Sequence, residues 1–136
     1  MVKITRRRSR ESAIILLYQT DLLNKDIMDV LNNEKLFGKK YDDFTTSLVL
    51  GVCKNKKKID DIIKKVVKNW AIERIAIIDR NILRVAIYEM VYIEDIPLKV
   101  SVDEAIEIAK KLGQKKDTPK FINGILGKIL IDIKVI

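Results

Sequence analysis

Five cations stand among the first ten residues, Lys3, Arg6, Arg7, Arg8 and Arg10, with no acid between them. An apolar run, ESAIILLYQTDLL, follows at once. The formal net charge is +8, so most of the excess is concentrated at one end. Such a cluster is the electrostatic footprint of a polyanion site, because each cation that neutralises a phosphate releases a counterion. Ser9 is expected to cap the helix behind it, which sets Arg6, Arg7 and Arg8 just ahead of the positive helix end and Arg10 in its first turn. Four guanidinium groups there oppose the helix dipole unless an anion completes the site, held by side chains and free N–H groups together. Tyr18, two turns beyond Arg10, and Phe121, beside Lys120, are aromatic side chains able to stack the splayed bases of single-stranded RNA.

Enzyme chemistry finds little to work with. There is no histidine and only one cysteine, which removes the commonest general base, thiolate zinc sites and any internal disulfide. Neither GxxxxGK[ST] nor GxGxxG occurs, so no phosphate-cradling loop points to a nucleotide. The carboxylate pairs Asp60-Asp61, Asp42-Asp43 and Glu104/Glu107 fall on helix surfaces or first turns, where capping and solvation account for them. The reading is a binding protein with no catalytic residue, no metal site and no cofactor. Cys53, inside LVLGVC, reads as a small buried hydrophobe of a cytoplasmic chain. The apolar run behind the arginines stops at Gln19, Thr20 and Asp21, too short to span a membrane.

The elements that must hold these residues are helical. In NKKKIDDIIKKVVKNW, Ile59, Ile62, Ile63, Val66, Val67 and Trp70 keep the spacing of one helix face, and the lysines fall on the solvated side. The segment from about Arg74 to Tyr92 is apolar on more than one side, as a helix packed among others should be. Pro97 forces a connector. Ser101 and Glu104 then have the spacing of a capping box, and Gly113 stands as a left-handed C-cap. Thr118 as N-cap and Pro119 at the first helical position start the last helix, whose apolar face is Phe121, Ile122, Ile125, Leu126, Ile129, Leu130 and Ile133. Helices from Ser9 to about Leu23, Asp26 to about Asn33, and Asp42 or Asp43 to near Lys54 bring the count to about seven. No run reads as a strand. At 136 residues, 48% of them hydrophobic, the chain suffices for one all-α domain, with a weak seam near Asn69 to Glu73.

Four ordered blocks, RRRSRESAIILLYQTDL, DRNILRVAIYEM, IPLKVSVDEAIEIAKKLG and KFINGILGKI, resemble the NusB family of transcription antitermination factors over almost the whole length. The resemblance implies a single RNA-binding domain over residues 1–136, an all-α bundle of two packed helical subdomains at about 1–70 and 71–136, and no enzymatic activity. It implies as partners NusE, a small-subunit ribosomal protein, and the single-stranded boxA element of nascent ribosomal RNA. Through them it implies the RNA polymerase antitermination complex that passes termination signals. No membrane is involved, and a homodimer is compatible with it. The family's arginine-rich start matches Arg6, Arg7, Arg8 and Arg10, its LY pair matches Tyr18, and its KFxNG block matches Lys120, Phe121, Asn123 and Gly124. Of these, Arg6, Arg7, Arg8, Arg10, Tyr18, Lys120, Phe121 and Asn123 are the expected RNA contacts. The resemblance implies a NusE surface on the central helix, with Asp79, Arg80 and Arg84 as exposed candidates, and Asp117 in the loop before the last helix. Asp103 stands where the family usually has Asn, which leaves the helix start intact but removes an amide donor. Gly124 costs about 1 kcal/mol relative to Ala inside a helix, for which close packing or RNA approach would be the reason. The alternatives are a stand-alone RNA-recognition module, related to the helical domain of ribosomal RNA cytosine methyltransferases, and a protein scaffold steered by its basic end.

Overall fold

A computed structural model describes residues 5–68 and 71–135. Among them the elements are α1 (Arg6–Leu23), α2 (Ile27–Leu36), α3 (Asp43–Lys54), α4 (Lys56–Val66), a 3-10 turn (Ile72–Arg74), α5 (Ile77–Tyr92), α6 (Leu98–Leu112) and α7 (Thr118–Val135). The described residues contain no strand, so the expected all-α bundle is what forms. Lys3, Asn69 and Trp70 lie outside the described residues, and with them part of the expected seam.

The apolar periodicities become one contiguous core. α5 is its axis: Ile82, Leu83, Val85, Ala86, Ile87 and Met90 are all buried, and α1, α3, α4, α6 and α7 each pack against it. Burying a Leu or Ile side chain contributes about 1.5–3 kcal/mol, so a helix apolar on several sides gains most at the centre. α4 shows the opposite pattern, with Ile59 and Ile63 buried on one stripe and Lys57, Lys58, Lys64 and Lys65 exposed on the other. The last helix buries Ile122, Ile125, Leu126 and Ile129 as its spacing requires.

One approach between helices depends on a missing side chain. A Cβ on Gly51 of α3 would stand 2.1 Å from the Tyr88 ring of α5, and Tyr88 in turn stacks on Tyr92 with centroids 5.3 Å apart.

Four helix-end expectations require correction. α1 begins at Arg6, not behind Ser9, because Thr5 is the N-cap and its hydroxyl accepts from the Arg8 N–H. α6 begins at Leu98, directly after Pro97; the capping box does not form, since Ser101 is buried inside the helix and donates to Glu89 at 3.0 Å. Gly113 has φ −56°, not the left-handed conformation; glycine is required there because a Cβ would stand 2.5 Å from the Ala109 carbonyl oxygen and 2.7 Å from Thr118. Thr118 is the first residue of α7 rather than its cap. Its hydroxyl accepts from the Lys115 N–H and donates to Asp79, while the N–H groups of Lys120 and Phe121 donate to the Asp117 carbonyl.

Candidate nucleic-acid interface

With Thr5 as cap, Arg6, Arg7 and Arg8 fill the first three positions of α1, and its first turn holds no acid. All three are exposed. The compensation for the helix dipole comes from other helices. Asp42, the N-cap of α3, accepts from the Ser9 hydroxyl at 2.7 Å and from the Thr45 hydroxyl and N–H. Burial pushes the Asp42 carboxyl up, yet these hydrogen bonds outweigh it and hold it below the ordinary aspartate range. From α6, Glu104 accepts from Arg7 Nε at 2.6 Å. The conflict with the dipole is therefore partly answered inside the protein, a contribution that the segment alone did not reveal. Arg6 lies over the Phe44 ring at 4.3 Å, while Arg8 has no ion pair among the described residues.

Arg10 differs from its neighbours. Its side chain is 5% exposed and makes a two-pronged bond to Glu89 of α5, at 2.7 and 2.8 Å. Glu104 lies 3.7 Å from its remaining nitrogen, and the Phe44 ring flanks it. A planar guanidinium satisfied in this way is held rigidly. Arg10 thus anchors the start of α1 to α5 instead of offering itself at the surface, and its expected place beside Arg6, Arg7 and Arg8 is corrected. Phe44, Glu89 and Glu104 were missed as members of this site, because each belongs to a different helix and acquires its role only in the fold.

The ion pairs also fix direction. Arg7 meets Glu104 and Glu11 meets Lys111, so α1 and α6 run the same way across this face. Arg10 meets Glu89 whereas Asp21 meets Asn81 and Arg84, so α1 and α5 run oppositely. Tyr18 is half-buried; it lies eleven residues after Arg7 on nearly the same face of α1, about 16 Å along the axis. The half-buried Phe121 lines a cavity of about 240 Å³ with Arg74, Asp79, Gln114, Lys115 and Thr118. That cavity sits at the end of α6 and the beginning of α5, so Phe121 is not brought to the arginines but to the other end of the helix pair. Lys120, Asn123 and Gly124 are exposed nearby on α7. A Cβ on Gly124 would meet nothing within 4 Å, which removes close packing as its reason.

Among the candidates for a protein partner, Asp117 is exposed and Arg80 half-buried, the latter donating from Nε to the Ile75 carbonyl at 2.9 Å. Asp79 and Arg84 are buried, contrary to expectation. Asp79 accepts from the Gln114 N–H at 3.0 Å and from Thr118, tying α5 to the start of α7. Arg84 is enclosed by Asp60, Asp21 and Asn81. No helix among the described residues is long and apolar enough to cross a membrane, and these residues contain no cluster of His, Cys, Asp and Glu fit to hold a metal ion.

The known proteins that this chain resembles agree with one another. A family model described as the NusB family matches residues 7–130. The chain belongs to the NusB family. The transcription antitermination protein NusB of Bacillus pumilus (strain SAFR-032) is 46% identical over 129 residues, covering 95% of this chain and 97% of that protein. A solved structure of T. maritima NusB superposes with a TM-score of 0.82 at 34% identity, covering 96% of this chain and 94% of its own. The antitermination factor complex of NusB and NusE with dsRNA contains a chain of the same fold, with a TM-score of 0.79 at 24% identity over 95% of this chain and 99% of that one. NusB proteins are antitermination factors and not enzymes, and the fold here is theirs.

Proposed function

We propose that this protein is a transcription antitermination factor of the cytoplasm that joins NusE on boxA-type single-stranded RNA in nascent ribosomal RNA and helps RNA polymerase pass termination signals. The observation that carries the reading is the row of exposed guanidinium groups, Arg6, Arg7 and Arg8, on the first turn of α1 in a chain of the NusB family. These three set phosphate affinity, and Arg10 positions them from below. Tyr18, Phe121 and the exposed Lys120 and Asn123 mark a path along which bases leave the arginine end, and the bare Gly124 backbone leaves room for it. Arg80 and Asp117 contact NusE, while Asp79 and Arg84 shape that surface from within. We assign the helical halves at about 1–70 and 71–136 to one platform, supported by the packing of α1 on both α5 and α6.

Fluorescence anisotropy with labelled boxA RNA, over a salt series and with NusE present or absent, tests the reading. Four phosphate contacts from Arg6, Arg7, Arg8 and Lys120 give a log–log slope of about −2.8 for a single strand. Absence of RNA binding in both conditions refutes it, and equal affinity for a duplex of the same sequence refutes the single-strand part. Arg7→Ala combined with Arg8→Ala lowers affinity by more than tenfold while the melting temperature moves little, since an exposed ion pair contributes only about 0–1 kcal/mol.

A further inference from the structure

Among the described residues, Glu104 is the one carboxylate that touches an exposed arginine of the candidate RNA end. It accepts from Arg7 Nε at 2.6 Å, with half of the Arg7 side chain exposed and Glu104 itself 21% exposed. Hydrogen bonding to Glu104, and then its charge, raise the affinity of the Arg7 guanidinium for its proton. Arg10, the other cation within reach of Glu104, is already neutralised by Glu89. Glu104 therefore spends its charge chiefly on Arg7, and it does so from an adjacent helix at the place where a phosphate would have to approach. Two further acids reinforce it: Glu107 and Glu11 both act on Arg7 from a distance, though each also has a lysine partner, Lys110 and Lys111.

We propose, building on the reading of the arginine end as an RNA contact, that Glu104 is an internal competitor for RNA: in the free protein it masks Arg7, and a phosphate backbone must take Arg7 from it. The mask acts on selectivity. A lone anion meets Arg7 already neutralised, whereas a strand that engages Arg6 and Arg8 at the same time brings a phosphate to Arg7 at high local concentration and displaces the carboxylate. Glu104 thus favours ligands carrying several regularly spaced phosphates over scattered anions, and it weakens the binding of all of them. A purely supportive role for Glu104, holding Arg7 ready with its two terminal nitrogens outward, predicts the opposite sign.

The test measures full-length wild type, Glu104→Gln, Arg7→Ala and the double variant against a labelled boxA oligoribonucleotide, by anisotropy over a salt series. Glutamine keeps the size of the side chain and an acceptor for Arg7 but removes the charge. Freeing Arg7 from a competing carboxylate charge a few ångströms away is expected to tighten RNA binding about three- to tenfold. The gain disappears when Arg7 is alanine. Unchanged or weaker binding by Glu104→Gln, or a gain that persists undiminished in the Arg7→Ala background, overturns the proposal. Failure of the wild type to bind RNA at all refutes instead the reading of the arginine end. Should Glu104→Gln melt early, ¹⁵N NMR of the wild-type Arg7 Nε–H during addition of the same RNA decides: displacement from the carboxylate shifts the resonance, and a resonance that stays in place as RNA saturates overturns the mask.

Discussion

Two buried arginines grip α1 at its two ends, and their surroundings differ. Arg84 of α5 meets the last turns of α1 through Asp21 at 2.7 Å, and α4 through both oxygens of Asp60 at 2.8 and 3.0 Å, with the Asn81 oxygen closing the shell. Of these partners Asp21 is shared with the exposed Lys56 at 3.3 Å, at the end of α1 away from the arginine row. Arg10 of α1 is held just as firmly by Glu89, but its second carboxylate, Glu104, is shared with the exposed Arg7. Arg84 is therefore a clamp joining three helices away from the exposed arginine row, whereas Arg10 joins three helices directly behind that row. The contrast separates support from function better than burial alone, because both side chains are at most 5% exposed.

The strongest way to break the comparison is Arg84→Ala. It strands Asp60 and Asp21 without their cation, and removing one partner of a buried pair costs about 3–5 kcal/mol. For a chain of this size that lowers the melting temperature on the order of 10–20 °C, while RNA affinity measured well below melting stays within about twofold of wild type. An equal loss of RNA affinity would mean that the clamp also shapes the interface.

Arg10→Met comes next. Leaving Glu89 with only Ser101 costs about 3 kcal/mol, and RNA affinity falls as the first turn of α1 loosens. Arg10→Met combined with Glu89→Leu sharpens the reading, because an apolar pair of similar volume often restores stability. Chemical denaturation is expected to show recovery of most of the loss, and anisotropy to show recovery of RNA binding with it. Stability that returns without affinity would make Arg10 a direct contact.

The smallest effect is one of pH. Burial works to raise the Asp21 carboxyl, but Asn81, Arg84 and Lys56 together hold it below the ordinary value of 3.8, and Asp42 is likewise depressed. A depressed carboxyl stabilises the folded state above its unfolded value and loses that contribution as pH falls through the folded one. Stability is thus expected to decline from about pH 4 downward, with the urea midpoint reporting it. Asp21→Asn is less stable near neutrality and shows a shallower acid loss; an unchanged acid slope would remove Asp21 as a cause.

The helices were legible because burying an apolar stripe is the dominant gain, and Ile59, Ile62 and Ile63 or Ile122, Ile125 and Ile129 announce their stripe at 3.6-residue spacing. Helix starts were less so. Thr5 and Ser9 are comparable caps by chemistry, and Ser101 looks like a cap until Glu89, twelve residues earlier, claims its hydroxyl. The exposed arginines could be read directly, whereas Arg10, Asp79 and Arg84 could not. DRNILRVAIYEM is apolar on several sides, and a helix surrounded by others buries its charges along with its leucines. That inference was available from the pattern, but the identity of the partners, Glu89 for Arg10 and Asp21 with Asp60 for Arg84, depends on how distant helices pack.

Gly51 and Tyr88 show what such packing imposes on the chain. With the ring 2.1 Å from where a Cβ would stand, a side chain at 51 is admitted only if the Tyr88 ring moves, and shrinking the ring opens a void between α3 and α5. Substitutions at the two positions are therefore expected to be non-additive, and a double-mutant cycle over Gly51 and Tyr88 measures their coupling.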